Sequence, residues 1–188
     1  KPAAVRGHKL VFRDAAPDDA AFILSLRTDE KKGRYLSATP PDMAAQRAWL
    51  ERYAGDDTQI YFIIENLAGE PVGTVRLYDR RGDSFCWGSW IKSDSAPSGF
   101  AVESALMVYH YALYLGFTGA HFEVRRGNTG VIQFHERFGA RLVRQDEHED
   151  FFELDEPGIR AALDKFARFL PDGIKVDPAS AVARPGLL

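Results

Sequence analysis

At 188 residues, 45% of them apolar, the chain has the length of one domain and the composition of a folded one, which excludes a disordered protein. Its 24 basic and 27 acidic side chains leave a formal charge of −3, which excludes a dedicated nucleic-acid binder or a polybasic membrane-surface protein. The single cysteine, Cys86, excludes an internal disulfide and any Cys-x-x-Cys pair, so a reducing, cytoplasmic setting is expected. No apolar run is long enough to span a bilayer, and the first residues lack the apolar core of a signal peptide.

Residues 8–13 read as a short strand. Pro17 suits the first turn of a helix that carries Phe22, Ile23 and Leu26 on one face. Thr39-Pro40-Pro41 breaks the chain, and Asp42 can cap a second helix with Trp49, Leu50 and Tyr53 as its apolar stripe. Residues 59–66, 72–79 and 84–92 are rich in β-formers and separated by turn residues, which predicts a three-stranded antiparallel meander. Residues 93–99 form a loop. A long helix then spans 100–115, where Val102, Ala105, Leu106, Tyr109, Ala112 and Leu113 repeat at helical spacing before Gly116. A strand at 121–126, a helix at 129–138 and two short strands at 141–145 and 150–154 follow. Pro157 opens a last amphipathic helix with Ile159, Leu163, Phe166 and Leu170, ended by Pro171-Asp172-Gly173. The remaining residues read as flexible or as a contact with another chain. One domain over 1–154 is expected, with 155–188 as an appended helix and tail.

No Gly-x-x-x-x-Gly-Lys, Gly-x-Gly-x-x-Gly, His-Glu-x-x-His or Gly-x-Ser-x-Gly pattern occurs, which argues against the common nucleotide, zinc-protease and serine-hydrolase sites. Two other units carry chemistry. In residues 84–115 a strand, a loop and a helix follow one another, and a helix N-terminus offers unpaired N–H groups to an anion. Gly99 and Ala101 are small and would let backbone approach a phosphate, with Lys92 nearby for charge; alternatively Ser95 or Ser98 caps an ordinary helix. Gly88 inside the strand marks either a bulge or room for Trp87 and Trp90, which strand alternation places on opposite faces.

In residues 121–138, Glu123 lies mid-strand, either on a solvated face or lining a site as a general base for an ammonium substrate. Asn128 either caps the next helix or bonds a ligand amide. His135 borders the stripe of Val131, Phe134 and Phe138, as a core histidine or as a proton donor to a leaving thiolate.

In order and spacing these units resemble the GNAT superfamily of acyl-CoA-dependent N-acyltransferases, over about residues 8–154. The family's phosphate loop reads Gln/Arg-x-x-Gly-x-Gly/Ala; Ala96-Pro97-Ser98-Gly99-Phe100-Ala101 matches it at Gly99 and Ala101 and departs at Ala96, and Pro97 lacks an N–H. The stretch FEVRRGNTGVIQFHERFGA (122–140) is similar to the family's strand–Asn–helix motif, with Glu123 and Asn128 in place and His135 where a Tyr is usual.

The resemblance implies an α+β (mixed α/β) fold, with a central, mostly antiparallel splayed sheet flanked by helices. It implies acetyl-CoA as co-substrate and no metal. Glu123 would be the base and His135 the acid. Ser98, Gly99, Phe100 and Ala101 would hold the pyrophosphate, and Ser89, Trp90, Ile91 and Asn128 the pantetheine arm. Arg27 and Trp90 would contact the acceptor; alternatively Arg27 is a surface residue bonded to Asp29 or Glu30. The implied acceptor is a small-molecule amine or a peptide N-terminus, with no nucleic acid or membrane as partner and a homodimer left open. The residues around Arg27, Trp49 and Tyr61 are similar to acetyltransferases of nucleotide-linked amino sugars, and also to those acting on ribosomal-protein N-termini. A different class, an acyl-CoA-binding module without turnover, stays open.

Overall fold

The computed structural model describes residues 1–179. A hairpin of β1 (Ala4–Arg6) and β2 (Leu10–Asp14) opens the chain, and a 3-10 turn over Pro17–Asp19 leads into α1 (Ala20–Arg27) and α2 (Met43–Ala54). The antiparallel meander is β3 (Ile60–Asn66), β4 (Pro71–Arg81) and β5 (Ser84–Lys92). Then come α3 (Phe100–Tyr114), β6 (Gly119–Arg125), α4 (Thr129–Arg137), β7 (Arg141–Gln145), β8 (Glu149–Asp155), α5 (Glu156–Lys165) and β9 (Lys175–Asp177). Among the described residues nine strands form one sheet in the order β7-β8-β6-β5-β4-β3-β2-β1-β9, antiparallel throughout except between β5 and β6.

The alternation of β3 explains the layers. Phe62 and Ile64 face a core that includes Leu106 and Tyr109 of α3, Phe134 of α4 and Ile159 of α5. Tyr61 and Ile63 face the other way, against Ile23 of α1 and Leu50 of α2. Both faces are therefore covered, and each fully buried large side chain contributes about 1.5–3 kcal/mol. The Asp42 carboxylate caps α2 by accepting from the Ala45 N–H at 3.0 Å, as its position before the helix suggests.

Two strands lie outside the expected elements. β1 and β9 are three residues each, too short for a periodic pattern to register. Residues 175–177, read as flexible or as a contact with another chain, instead pair with β1 in the register Val5↔Val176. The helix expected at Pro17 begins as a 3-10 turn, and α5 stops at Lys165 before a second such turn over Ala167–Phe169. The end of the expected tail, 180–188, lies outside the described residues.

The feature that shapes the site is the junction of β5 and β6. They pair only at Ser84↔Gly119 and Phe85↔Ala120, and beyond that β6 pairs with β8 and β5 with β4. On the β4 side, Gly88 faces Arg76 and Ile91 faces Thr74, so Ser89 and Trp90 together oppose Val75. That is a β-bulge, which bends a strand and raises its twist. Ser89 takes a left-handed conformation (φ 48°), held by Thr74 Oγ1 donating to its carbonyl at 2.8 Å and Arg27 Nη1 donating to its hydroxyl at 3.3 Å. The extra residue also resets the alternation. Trp87 and Trp90, expected on opposite faces, share one, with ring centroids 5.3 Å apart.

Candidate active site

The splay opens a cleft of about 330 Å³ between β5 and β6. Residues 87–90 form one wall, residues 122–125 the other, and Asn128 and His135 close its α4 end. The segment between α1 and α2 lies across the mouth. Its Tyr35 hydroxyl donates to the Gly127 carbonyl at 3.1 Å, and Lys32 bridges Asp29 at 3.2 Å and Asp94 at 3.1 Å.

Glu123 borders the cleft from the sheet face opposite to buried Phe122 and Val124. Arg125, two residues on and on the same face, is engaged by Glu149 at 3.3 Å, and Glu123 has no ion pair among the described residues. Its carboxylate thus stands unpaired beside the cleft. Asn128 holds the position before α4, where its backbone carbonyl accepts from the N–H groups of Val131 (3.1 Å) and Ile132 (3.0 Å). Its side chain makes no capping bond, so the carboxamide is available to a ligand.

His135 is 5% exposed and packed among aromatic rings, with centroids 4.2 Å from Phe122 and 5.2 Å from Trp87. Nδ1 has no hydrogen-bond partner. Burial pushes its pKa down to about 3, so the ring is neutral at neutral pH. These buried, aromatic surroundings disfavour the charged ring that the acid role expected from the motif would use. Trp90 is also committed: its indole N–H donates to Ser104 Oγ at 3.0 Å and its ring lies against Phe134.

At the start of α3, Gly99 holds the position before the helix at φ 86°, a region that favours glycine. Neither serine caps this helix: the Ser95 hydroxyl is bonded to Ser93 at 2.8 Å, and no side chain caps α3. The Phe100 N–H turns back to the Pro97 carbonyl at 3.1 Å, which leaves the N–H groups of Gly99 and Ala101 without a backbone partner among the described residues. The Phe100 ring is buried and fills the space a side chain at position 73 would need, so it contributes to a ligand site only through its backbone.

A second cavity, of about 490 Å³, opens on the α1/α2 face and shares Ser89 with the cleft. Arg27 lines it but is bonded to neither Asp29 nor Glu30, the partners of the alternative reading. Its Nε donates to Thr39 Oγ1 at 2.6 Å and its Nη2 to Ser37 Oγ at 2.9 Å. Arg52 and Arg76 line the same cavity. Sequence reasoning missed both; the one signal was Arg76 set between the apolar Val75 and Leu77 of its strand. Among the described residues no three His, Cys, Asp or Glu side chains gather as a metal site, and no helix is long and apolar enough to cross a membrane.

A mixed sheet parted at its single parallel junction, a bulged strand on one side of the gap and a free carboxylate on the other define an acyl-transfer enzyme. The chain belongs to the GNAT acetyltransferases: residues 9–141 match the model of the acetyltransferase (GNAT) domain. It is similar to apo FdhC, a nucleotide-linked sugar GNAT, with 35% identity over 89% of this chain and 98% of that one and a TM-score of 0.81. It shares its fold with a GCN5-related N-acetyltransferase from Brucella melitensis, at 18% identity over 92% of this chain and 87% of that one, TM-score 0.75. The same holds for spermidine N-acetyltransferase from Vibrio cholerae in complex with CoA and spermine, at 15% identity over 81% and 98%, TM-score 0.72. No curated protein matches the chain.

Proposed function

We propose that this acetyltransferase moves an acetyl group from acetyl-CoA directly to the primary amine of a nucleotide-linked amino sugar. The observation that carries the reading is the parted β5–β6 junction with the unpaired Glu123 carboxylate beside it. The choice of acceptor is supported by the likeness to FdhC, a nucleotide-linked sugar GNAT.

The residues present fit an acyl-CoA. The β5 edge beyond Phe85 has no partner on β6, so it can pair with the amides of an extended pantetheine arm. The free Asn128 carboxamide bonds that arm from the other side. The N–H groups of Gly99 and Ala101, at the positive end of α3, suit a pyrophosphate. Acetyl-CoA supplies the activated acetyl group as a thioester.

Glu123 takes the proton of the ammonium group, directly or through a water, so that the amine attacks in its neutral form. The irregular backbone at Ser89 and Trp90 offers N–H groups to charge developing on the carbonyl oxygen. Holding amine and carbonyl together in the cleft supplies proximity. A thiol with a pKa of about 8.5 leaves without a strong acid, so the neutral His135 is not required as a donor.

Incubation with acetyl-CoA and a panel of nucleotide-linked amino sugars, read by mass spectrometry, tests this. One acetyl group should be added to at least one of them. Acetylation of spermidine or of peptide N-termini, with none of the sugars modified, would overturn the acceptor assignment.

Gly99→Val should weaken CoA binding about tenfold or more, because a β-branched residue in left-handed backbone costs at least about 1–2 kcal/mol. Its Cβ would also sit 3.4 Å from the Phe169 ring. Calorimetry with CoA checks this, and unchanged affinity would remove the loop from the CoA site.

A further inference from the structure

We propose that the cavity on the α1/α2 face seats the diphosphate of the acceptor, with Arg52 and Arg76 as specificity-determining residues. The inference rests on the acceptor being a nucleotide-linked amino sugar and names how this chain would recognise it.

Three guanidinium groups, those of Arg27, Arg52 and Arg76, line this one cavity, and none has a carboxylate partner among the described residues. The carboxylate in the lining is Asp42, which is already bonded to the Ala45 N–H at the start of α2. Many arginines elsewhere are ion-paired, as Arg13 is with Asp19 and Glu65 and Arg160 with Glu156; among the described residues Arg34, Arg80, Arg137 and Arg168 are not, and none of these four lines the cavity. In a chain of net charge −3, three unneutralised arginines around one cavity mark an anion site and disfavour a polyamine.

Arg76 is held for such a role. It lies over the rings of Trp49 (5.5 Å) and Tyr78 (4.7 Å), and its Nε donates to Gln59. Among the described residues neither of its Nη groups has a partner, the arrangement that favours forked bonding to phosphate. Arg52, on α2, has no partner at all among the described residues. The Tyr61 side chain, 3% exposed, also lines the cavity, with its hydroxyl beside Arg27 and Thr74. Trp49, Tyr61 and Tyr78 give the cavity aromatic walls beside these charges.

The position suits an acceptor rather than CoA. Gly99 and Asn128 border α3 and α4, whereas this cavity lies under α1 and α2, on the face that carries Glu123. Arg27 ties the two regions together through Ser89, which borders both the cavity and the cleft. A diphosphate seated here would leave the attached sugar directed along the sheet toward Glu123.

The test is calorimetry with dTDP, and separately with inorganic pyrophosphate, on the enzyme saturated with CoA so that the CoA diphosphate site is filled. Both probes should bind. Arg52→Gln and Arg76→Gln should each weaken dTDP by about tenfold to a hundredfold, the scale of a lost charge-assisted bond. Arg80→Gln, outside the cavity, should leave its affinity unchanged. If Arg76→Gln fails to fold, Arg52→Gln on the exposed side of α2 carries the test. Absence of binding to CoA-saturated enzyme, or equal affinity in both variants, would overturn the proposal. Arginine-dependent dTDP binding without acetylation of any sugar nucleotide would keep the diphosphate seat and sink the acceptor assignment. Acetylation with KM unchanged in both variants would do the reverse.

Discussion

Glu123→Gln should lower kcat by about 10²–10⁴-fold, the usual worth of a positioned general base. The change keeps shape and hydrogen bonding but removes the ability to accept a proton. No ion pair of Glu123 among the described residues is lost, so stability should hardly move. CoA affinity should also be preserved, because the proposed function assigns the pantetheine arm to the unpaired β5 edge and Asn128 and gives Glu123 to the acceptor. The variant should recover part of its rate as pH rises, since more of the amine is then already neutral. Steady-state kinetics on a productive amine, with CoA binding measured by calorimetry, checks each point. Full activity in Glu123→Gln would remove the base assignment and leave the family membership untouched.

The stretch from residue 59 to residue 154 was largely legible because its elements are long enough for periodicity to speak. The meander, the helix over Phe100–Tyr114 and the strand–helix pair around Asn128 all fall where their apolar spacing puts them. The family resemblance rested on Gly99, Glu123 and Asn128, and the domain match bears the family out. Other features depend on contacts that sequence spacing does not encode. The bulge at Ser89 and Trp90 is set by the register against β4, and it moves Trp90 to the face of Trp87. The arginine cavity joins a residue of α2 to one of β4, and neither lies in a recognisable motif. β9 is visible only through its pairing with β1. His135 shows the limit most sharply: the motif supplied a position, but only the fold shows the ring buried against Phe122 and Trp87.

That packing leads to the second large effect, an acid-dependent loss of stability that His135→Phe should abolish. Burial depresses the folded-state pKa of His135 to about 3, below the ordinary value of about 6.5 that it regains on unfolding. Below pH 6.5 the unfolded chain therefore binds a proton that the folded chain refuses. Stability is complete above that pH and falls as pH drops from 6.5 toward 3, by up to about 1.4 kcal/mol per unit. At pH 5 the loss relative to full stability is about 2 kcal/mol, or roughly 30-fold in the folding equilibrium. Phenylalanine fits the same aromatic surroundings and carries no titrating group. Urea unfolding of parent and variant at pH 7 and pH 5 should show the parent losing about 2 kcal/mol more than the variant. His110, also depressed by burial, is common to both proteins and cancels in the difference. At neutral pH, kcat of His135→Phe should fall by less than about tenfold, well short of the effect of a general acid. Equal acid sensitivity in the two proteins would mean that His135 is not held neutral by burial. A loss of two or more orders of magnitude in kcat, with CoA affinity and stability intact, would restore it as the proton donor to the leaving sulfur.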